Sequence, residues 1–188
     1  MIRQAEKQDF PFVFPILEQI FDEMDMASIK KLPQSQFYDL MRQGFISERY
    51  RYSYRRTWVE VSDEGEIRGM LTMYPYEDQV AIDEALKTRY AKVGLPFETV
   101  IFDDQEAWPD EWYLDSLAVH PDHWGQHVAS RLMDFGEKMA KEKGYQKVSL
   151  NVDLENPRAI RLYEHKGYQT EKQMTIGDRT YNHMVLQL

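Results

Sequence analysis

Between Trp112 and Met133 the chain passes from a run of large apolar residues, interrupted by Asp115, into apolar residues repeating at helical spacing. That pattern predicts a strand, a tight turn and a helix. His120, Pro121 and Asp122 break the strand, and the helix opens through Gly125 and Ala129. The first N–H groups of a helix have no intrahelical acceptor and the positive end of its dipole points the same way, so the turn is built to receive an anion such as a phosphate. His120, His123 and His127 stand in this turn at spacings of three and four. Pro121 keeps them off any shared regular helix and no acidic second shell is evident, so zinc is not expected and the metal set is read as empty. The chain has no cysteine. Disulfides, thiolate catalysis and an acyl-cysteine intermediate are thereby excluded, and any acyl transfer is direct or uses another nucleophile.

Downstream, Val148 to Val152 reads as a strand, and Asn156 followed by Pro157 reads as the cap and first position of a helix that stops at Gly167. Laid together, these segments resemble the GNAT superfamily of acetyl-CoA-dependent N-acetyltransferases. Its loop signature is Gln or Arg, two residues, Gly, one residue, then Gly or Ala, after a strand ending in a Val-x-Pro-like sequence. Here the strand end is Leu117 to Pro121; Trp124 stands at the Gln/Arg position, His127 at the first signature Gly, and Ala129 agrees, as does Gly125, common in this loop. A second family motif, Asn-x-x-Ala-x-x-Leu-Tyr-x-x-x-Gly-Phe/Tyr, is matched in order and spacing by Asn156, Ala159, Leu162, Tyr163, Gly167 and Tyr168.

The resemblance implies an α/β (α+β) fold with a mixed, mostly antiparallel sheet flanked by helices, and direct transfer of an acetyl group from acetyl-CoA to a primary amine. It places the CoA pyrophosphate on the loop and first helical turn made by Trp124, Gly125, Gln126, His127, Val128, Ala129 and Ser130. The main chain of Leu117, Ala118 and Val119 would pair with the pantetheine arm like an added strand, and an N–H near Val119 would polarise the thioester carbonyl. Asn156 would touch pantetheine, although the helix-cap role also accounts for it fully. Tyr163 carries the family's general-acid role; the alternative is a tyrosine packed in the core. A phenol near ~10 facing a thiolate near ~8.5 gives up its proton uphill by roughly 2 kcal/mol, which favours hydrogen bonding over full transfer. An alkylamine near ~10.4 must also lose a proton. Asp115, alternating with Tyr113 and Leu117 along the strand, is the first candidate base and Glu111 the second; a structural carboxylate is the competing reading of Asp115.

These groups must be positioned by the remaining elements. The 188 residues, 43% hydrophobic and 13% aromatic, suit one globular domain over 1–188. A short strand at Ile2 to Ala5 precedes a helix capped by Asp9, with Pro15 kinking or delaying it, and a second helix from about Pro33 to Met41 that stops at Gly44. Arg49 to Arg55 alternates Arg with Tyr and reads as an extended segment with tyrosines on one face, against the alternative of a nucleic-acid platform. Two strands follow, Thr57 to Val61 and Ile67 to Tyr74, and a hairpin closes the chain around Gly177 and Asp178.

The net charge of −9 is uneven: residues 1–119 hold 13 Lys/Arg against 23 Asp/Glu, and residues 120–188 hold 10 against 9. This disfavours nucleic acid and suits a cationic partner. No apolar run spans a membrane and no signal pattern opens the chain, so the expected setting is cytoplasmic without membrane partners. The 75–111 segment exceeds the family's short connection and carries 10 acidic residues against Lys87, Arg89 and Lys92. It contains a helical pattern from Val80 to Tyr90 and an acidic turn from Asp103 to Glu111. It is read as a wall or lid of the acceptor site selecting cationic amines, or else as a contact in a homodimer. A non-catalytic acyl-CoA-binding or partner-binding module, or a protein N-acetyltransferase, is the alternative function.

Overall fold

The computed structural model describes residues 1–24, 32–79, 81, 82, 84, 90 and 105–188. The strands are β1 (Ile2–Gln4), β2 (Thr57–Val61), β3 (Ile67–Pro75), β4 (Glu111–Val119), β5 (Lys147–Asp153), β6 (Gln169–Ile176) and β7 (Arg179–Gln187), and the helices α1 (Phe10–Met24), α2 (Gln34–Phe45), α3 (Val128–Glu142) and α4 (Pro157–His165). The strands form one sheet in the order β1-β2-β3-β4-β5-β7-β6. All neighbours are antiparallel except β4 and β5.

Successive side chains of a strand point to opposite faces, and the sheet uses this to carry two cores. Met70 joins Phe14, Leu17 and Leu40 beneath α1 and α2, whereas its neighbour Leu71 joins Leu114, Leu132 and Val148 beneath α3. Helix α3 comes very close to the sheet at Gly136, where a Cβ would lie 2.9 Å from Leu71 Cδ2.

Several expectations need correction. Asp9 does not cap α1; its carboxylate turns back to accept from the Glu6 N–H at 2.7 Å and pairs with Arg3 at 2.6 Å. Pro15 lies inside an unbroken α1, neither delaying nor ending it. Helix α2 runs past Gly44, because the missing side chain there admits the ring of Tyr50. The Arg49 to Arg55 run is a series of turns rather than an extended segment, with Tyr50, Arg51 and Tyr52 all buried. Most of the Val80 to Tyr90 pattern, and Asp103 and Asp104 of the acidic turn, fall outside the described residues.

Candidate active site

The site begins where the sheet stops pairing. Only Glu111, Trp112 and Tyr113 of β4 face partners on β5, at Lys147, Val148 and Ser149. Beyond them the two strands continue to Val119 and Asp153 with no ladder between them, so a parallel pair opens into a wedge. Two cavities occupy it. One, about 390 Å³, runs along Leu117 to Val119 to the turn before α3; the other, about 140 Å³, lies deeper, walled by Arg51, Glu106, Tyr113, Asp115 and Asn151. Leu117, Asn156, Ala159 and Tyr163 line both, as do Ile20 and Glu23 of α1, so the cavities meet there.

The outer cavity collects most of the residues expected to hold the cofactor: Leu117, Ala118, Val119, Trp124, Gly125, His127, Val128, Ala129, Ser130 and Asn156 all line it. Gln126 is the exception. Its side chain reaches back to Asp122 O at 3.2 Å and its carbonyl accepts from Arg131, on the far side of the loop. The loop turns through left-handed geometry at Gly125 (φ 78°) and at His127 (φ 60°), the residue immediately before α3. That geometry leaves the N–H groups of Val128, Ala129 and Ser130 facing outward from the first helical turn without intrahelical acceptors. His120 N donates to Arg68 O at 2.8 Å, so by strand alternation the main-chain groups of Val119 and Leu117 point into the wedge. The Val119 carbonyl already accepts from Trp124 Nε1 at 2.9 Å, and Arg158 of α4 lies 5.0 Å over the Trp124 ring, bridging the cavity mouth.

One wall of the inner cavity is a buried network of polar side chains. Arg51 Nη1 donates to Glu106 Oε1 at 2.7 Å and to Asp115 Oδ2 at 2.8 Å. Asp115 also accepts from Tyr74 OH at 2.5 Å and from Ser116 Oγ at 2.8 Å. Tyr113 OH donates to Glu106 Oε2 at 2.9 Å, and Asn151 Nδ2 donates to that hydroxyl at 3.1 Å and to the Glu106 carbonyl at 2.8 Å. With its amide nitrogen so engaged, Asn151 presents Oδ1 to His183 Nδ1 at 2.8 Å. His183 Nε2 in turn lies 3.2 Å from Glu111 Oε1.

The bulge between Thr72 and Met73 of β3, opposite Ser116 and Leu114, revises the expected alternation on β4. It leaves Asp115 as the extra residue, so Asp115 keeps to Tyr113's side while Leu117 joins Leu114 in the α3 core. Glu111 sits behind the inner cavity, accepting from Trp108 N and Ser149 Oγ, each at 2.8 Å. Burial pushes its carboxyl up, but the bonds from His183, Trp108 and Ser149 together hold it below the ordinary range. Burial pushes the Tyr163 phenol up to about 12, with the Glu23 carboxylate adding to the shift. Its hydroxyl has no hydrogen-bond partner among the described residues. The Asn156 Oδ1 accepts from Ala159 N at 3.1 Å, which makes it the cap of α4 and leaves its NH₂ for the cavity.

The profile of the acetyltransferase (GNAT) family matches residues 17–168. The chain belongs to the GNAT acetyltransferase family. It is 36% identical over 63 residues to an acetyltransferase of Pectobacterium atrosepticum, a match spanning 34% of this chain and 45% of that relative. A solved acetyltransferase structure superposes over 100% of this chain and 98% of its own, with a TM-score of 0.86 and 35% identity. An N-acetyltransferase from Staphylococcus aureus Mu50 shares the fold at 23% identity, with a TM-score of 0.83 over 99% and 100% of the two chains. The seven-stranded mixed sheet and the four helices that flank it among the described residues are thus the GNAT fold, and the chain is an acyltransferase. Among the described residues no group of His, Asp and Glu could hold a metal ion, and no helix is long and apolar enough to cross a membrane.

Two residues of the inner cavity, Arg51 and Asn151, escape sequence reasoning, and a third, Glu106, is reached only as one of several carboxylates in the 75–111 segment. Arg51 sits in an Arg/Tyr alternation that reads as surface, and its one distinguishing sign is the surplus of carboxylates elsewhere that a buried cation would offset. Glu106 is hidden in an acidic turn. Asn151 follows a strand run of apolar residues with no local mark of a site.

Proposed function

We propose that this GNAT enzyme moves an acetyl group directly from acetyl-CoA to the nitrogen of a small cationic primary amine. The family uses acetyl-CoA, and the observation that carries the reading is the meeting of the two cavities at Leu117, Asn156 and Tyr163. In this arrangement the pyrophosphate rests on the free amides at the start of α3, and the pantetheine arm takes the main chain of Leu117 and Val119 as a strand would. To do so it displaces the Trp124 indole from the Val119 carbonyl. The thioester then reaches the junction, and the amine comes from the inner cavity, whose wall is rich in carboxylates. Tyr163 stands beside both and supplies a hydrogen bond to the leaving sulfur; with its phenol at about 12, full transfer to a thiolate near ~8.5 is uphill by roughly 5 kcal/mol, so the hydroxyl steadies the sulfur more than it protonates it. Glu106 ties the C-terminal end of the 75–111 segment to this wall, in keeping with that segment as part of the acceptor site.

The test is thiol release from acetyl-CoA across a panel of mono- and dicationic amines and peptide N-termini, together with thermal unfolding with and without acetyl-CoA. A native-state ligand raises the melting temperature by mass action. The reading expects a rise, its loss in Gly125→Leu, and turnover with small amines. Binding without turnover on any amine would assign the chain to the non-catalytic module instead, and turnover confined to peptides would make the acceptor a protein.

A further inference from the structure

Of the two carboxylates first considered as bases, Asp115 and Glu111, each has three named donors, two of them on one oxygen, and Glu111 lies behind the cavity rather than in its wall. Asp115 accepts from Arg51, Tyr74 and Ser116, and Glu111 from Trp108, Ser149 and His183. Glu106 differs. It lines the inner cavity, and each of its oxygens has one named donor, Arg51 Nη1 on Oε1 and Tyr113 OH on Oε2. A carboxylate oxygen has two lone pairs, so each can accept once more, from the cavity side. The residue is also rigidly held. Gln79 Oε1 accepts from the N–H groups of Glu106 and Ala107 at 3.2 and 2.8 Å, and Asn151 grips the Glu106 carbonyl. Four separate stretches of chain, two gripping its carboxylate and two its main chain, thus fix Glu106 against a cavity that opens on Tyr163.

Resting on the acetyltransferase reading, we infer that Glu106 is the general base, taking the proton from the acceptor ammonium, and that Tyr113 and Asn151 are positioning residues that aim it. One Glu106 oxygen removes a proton from R–NH₃⁺, leaving Glu106 neutral and the nitrogen lone pair free. The lone pair forms the C–N bond at the thioester carbon. On collapse the C–S bond breaks and its electron pair leaves on sulfur. The nitrogen's second surplus proton passes, through the Tyr163 hydroxyl or directly, to that sulfur, giving the amide and CoA thiol. Glu106 then returns its proton to water, so the net release is one proton per turnover.

The basicity suits the task. Burial pushes the Glu106 carboxyl up, and Asp115 adds to the rise while Arg51 opposes it. A base nearer the working pH is a better acceptor than an ordinary surface glutamate. The charged and titratable groups facing it are Arg51 and Tyr52 from the turns after α2, Tyr74 from β3, Tyr113 and Asp115 from β4, and Tyr181 from β7.

The decisive variants are Glu106→Gln and Glu106→Asp in the full chain, with thermal unfolding confirming that each folds. With a small amine, Glu106→Gln is expected to lower kcat about 10²- to 10⁴-fold, the usual worth of a general base, with the acetyl-CoA Kd unchanged. The acidic limb of the pH–kcat profile should vanish in Glu106→Gln and survive, displaced, in Glu106→Asp. In Tyr113→Phe the limb should remain but shift. A kcat within about threefold of the unmodified protein, or an acidic limb intact in Glu106→Gln, overturns the assignment. If the unmodified protein turns over no amine, the transferase reading falls instead. The base assignment rests on that reading and falls with it, whereas turnover that survives in Glu106→Gln overturns the assignment alone.

Discussion

The two ends of the wedge are built on opposite plans. At the outer end the groups offered to a ligand are backbone amides and carbonyls, supplied by one continuous stretch from Leu117 to Ser130 and largely open to solvent. At the inner end they are buried side chains drawn from Arg51, Glu106, Asp115 and Asn151, remote from one another in sequence. Backbone groups are held by local geometry, so one end tolerates unusual side chains such as Trp124 and His127. A buried charged network is held only by its own members, and removing one strands the others. Side-chain substitutions should therefore be felt globally at the inner end and locally at the outer one.

The hardest test of that contrast is Arg51→Leu. Arg51 is 2% exposed and faces two carboxylates at 2.7 and 2.8 Å. Its loss leaves Glu106 and Asp115 buried without their cation, and breaking such a cluster costs about 3–5 kcal/mol. Urea unfolding should show a midpoint far below that of the unmodified protein. A drop of less than about 1 kcal/mol would mean that the carboxylates neutralise themselves by taking up protons, and the network would no longer count as a unit.

Next in size is Tyr163→Phe, which acts at the junction. It should lower kcat by one to three orders of magnitude, or about 1.4–4 kcal/mol, while the acetyl-CoA Kd and the melting temperature stay put. Because the hydroxyl has no partner within the described protein, its removal orphans nothing. An unchanged kcat would pass the stabilising of sulfur to water or another group.

The same contrast explains what could be read from sequence. Motifs over Leu117 to Ala129 and Asn156 to Tyr168 are local, and the strand, turn, cap and helix they predict are the elements observed. The inner end was largely illegible because its partners are separated by long stretches: Arg51 meets Asp115 across 64 residues, and His183 meets Glu111 across 72. No period or spacing records such a meeting. Asp115 lies on the motif strand and keeps the side of Tyr113 that alternation predicts, yet Leu117 falls on the other face, since a bulge leaves no mark in the alternation until the partner strand is known. Gly44 misled for a related reason: as a helix stop it is a local signal, but here it answers to Tyr50, six residues on.

A smaller effect follows from the carboxylate behind the inner cavity. The Glu111 carboxyl is held below its ordinary value near 4.5 in the folded chain. A group depressed by folding contributes stability that is complete above its unfolded value and is lost as pH falls through the folded one. The stability gap between the unmodified protein and Glu111→Gln should therefore be flat from pH 7 down to about 4.5 and close steadily below it, by roughly 1–3 kcal/mol in all. Urea unfolding at a series of pH values reads it directly. A gap that widens in acid would mean that Glu111 is bound as the neutral acid.

The smallest effect expected belongs to the outer end and has the opposite sign. His127 holds φ at 60°, a left-handed conformation that costs a residue with a Cβ about 1–2 kcal/mol and costs glycine nothing. Glycine gives back part of that gain through the greater freedom of its unfolded chain, about 0.5–1 kcal/mol. The side chain does not cap the helix and no hydrogen bond within the described protein holds it in place. His127→Gly should thus raise stability by up to about 1 kcal/mol, and the loop's amides should hold acetyl-CoA at least as tightly, with no Cβ beside the pyrophosphate. Melting temperature and acetyl-CoA Kd check both statements. A stabilised variant with much weaker binding would show that the imidazole itself contacts phosphate, and this end of the wedge would then depend on side chains as the inner end does.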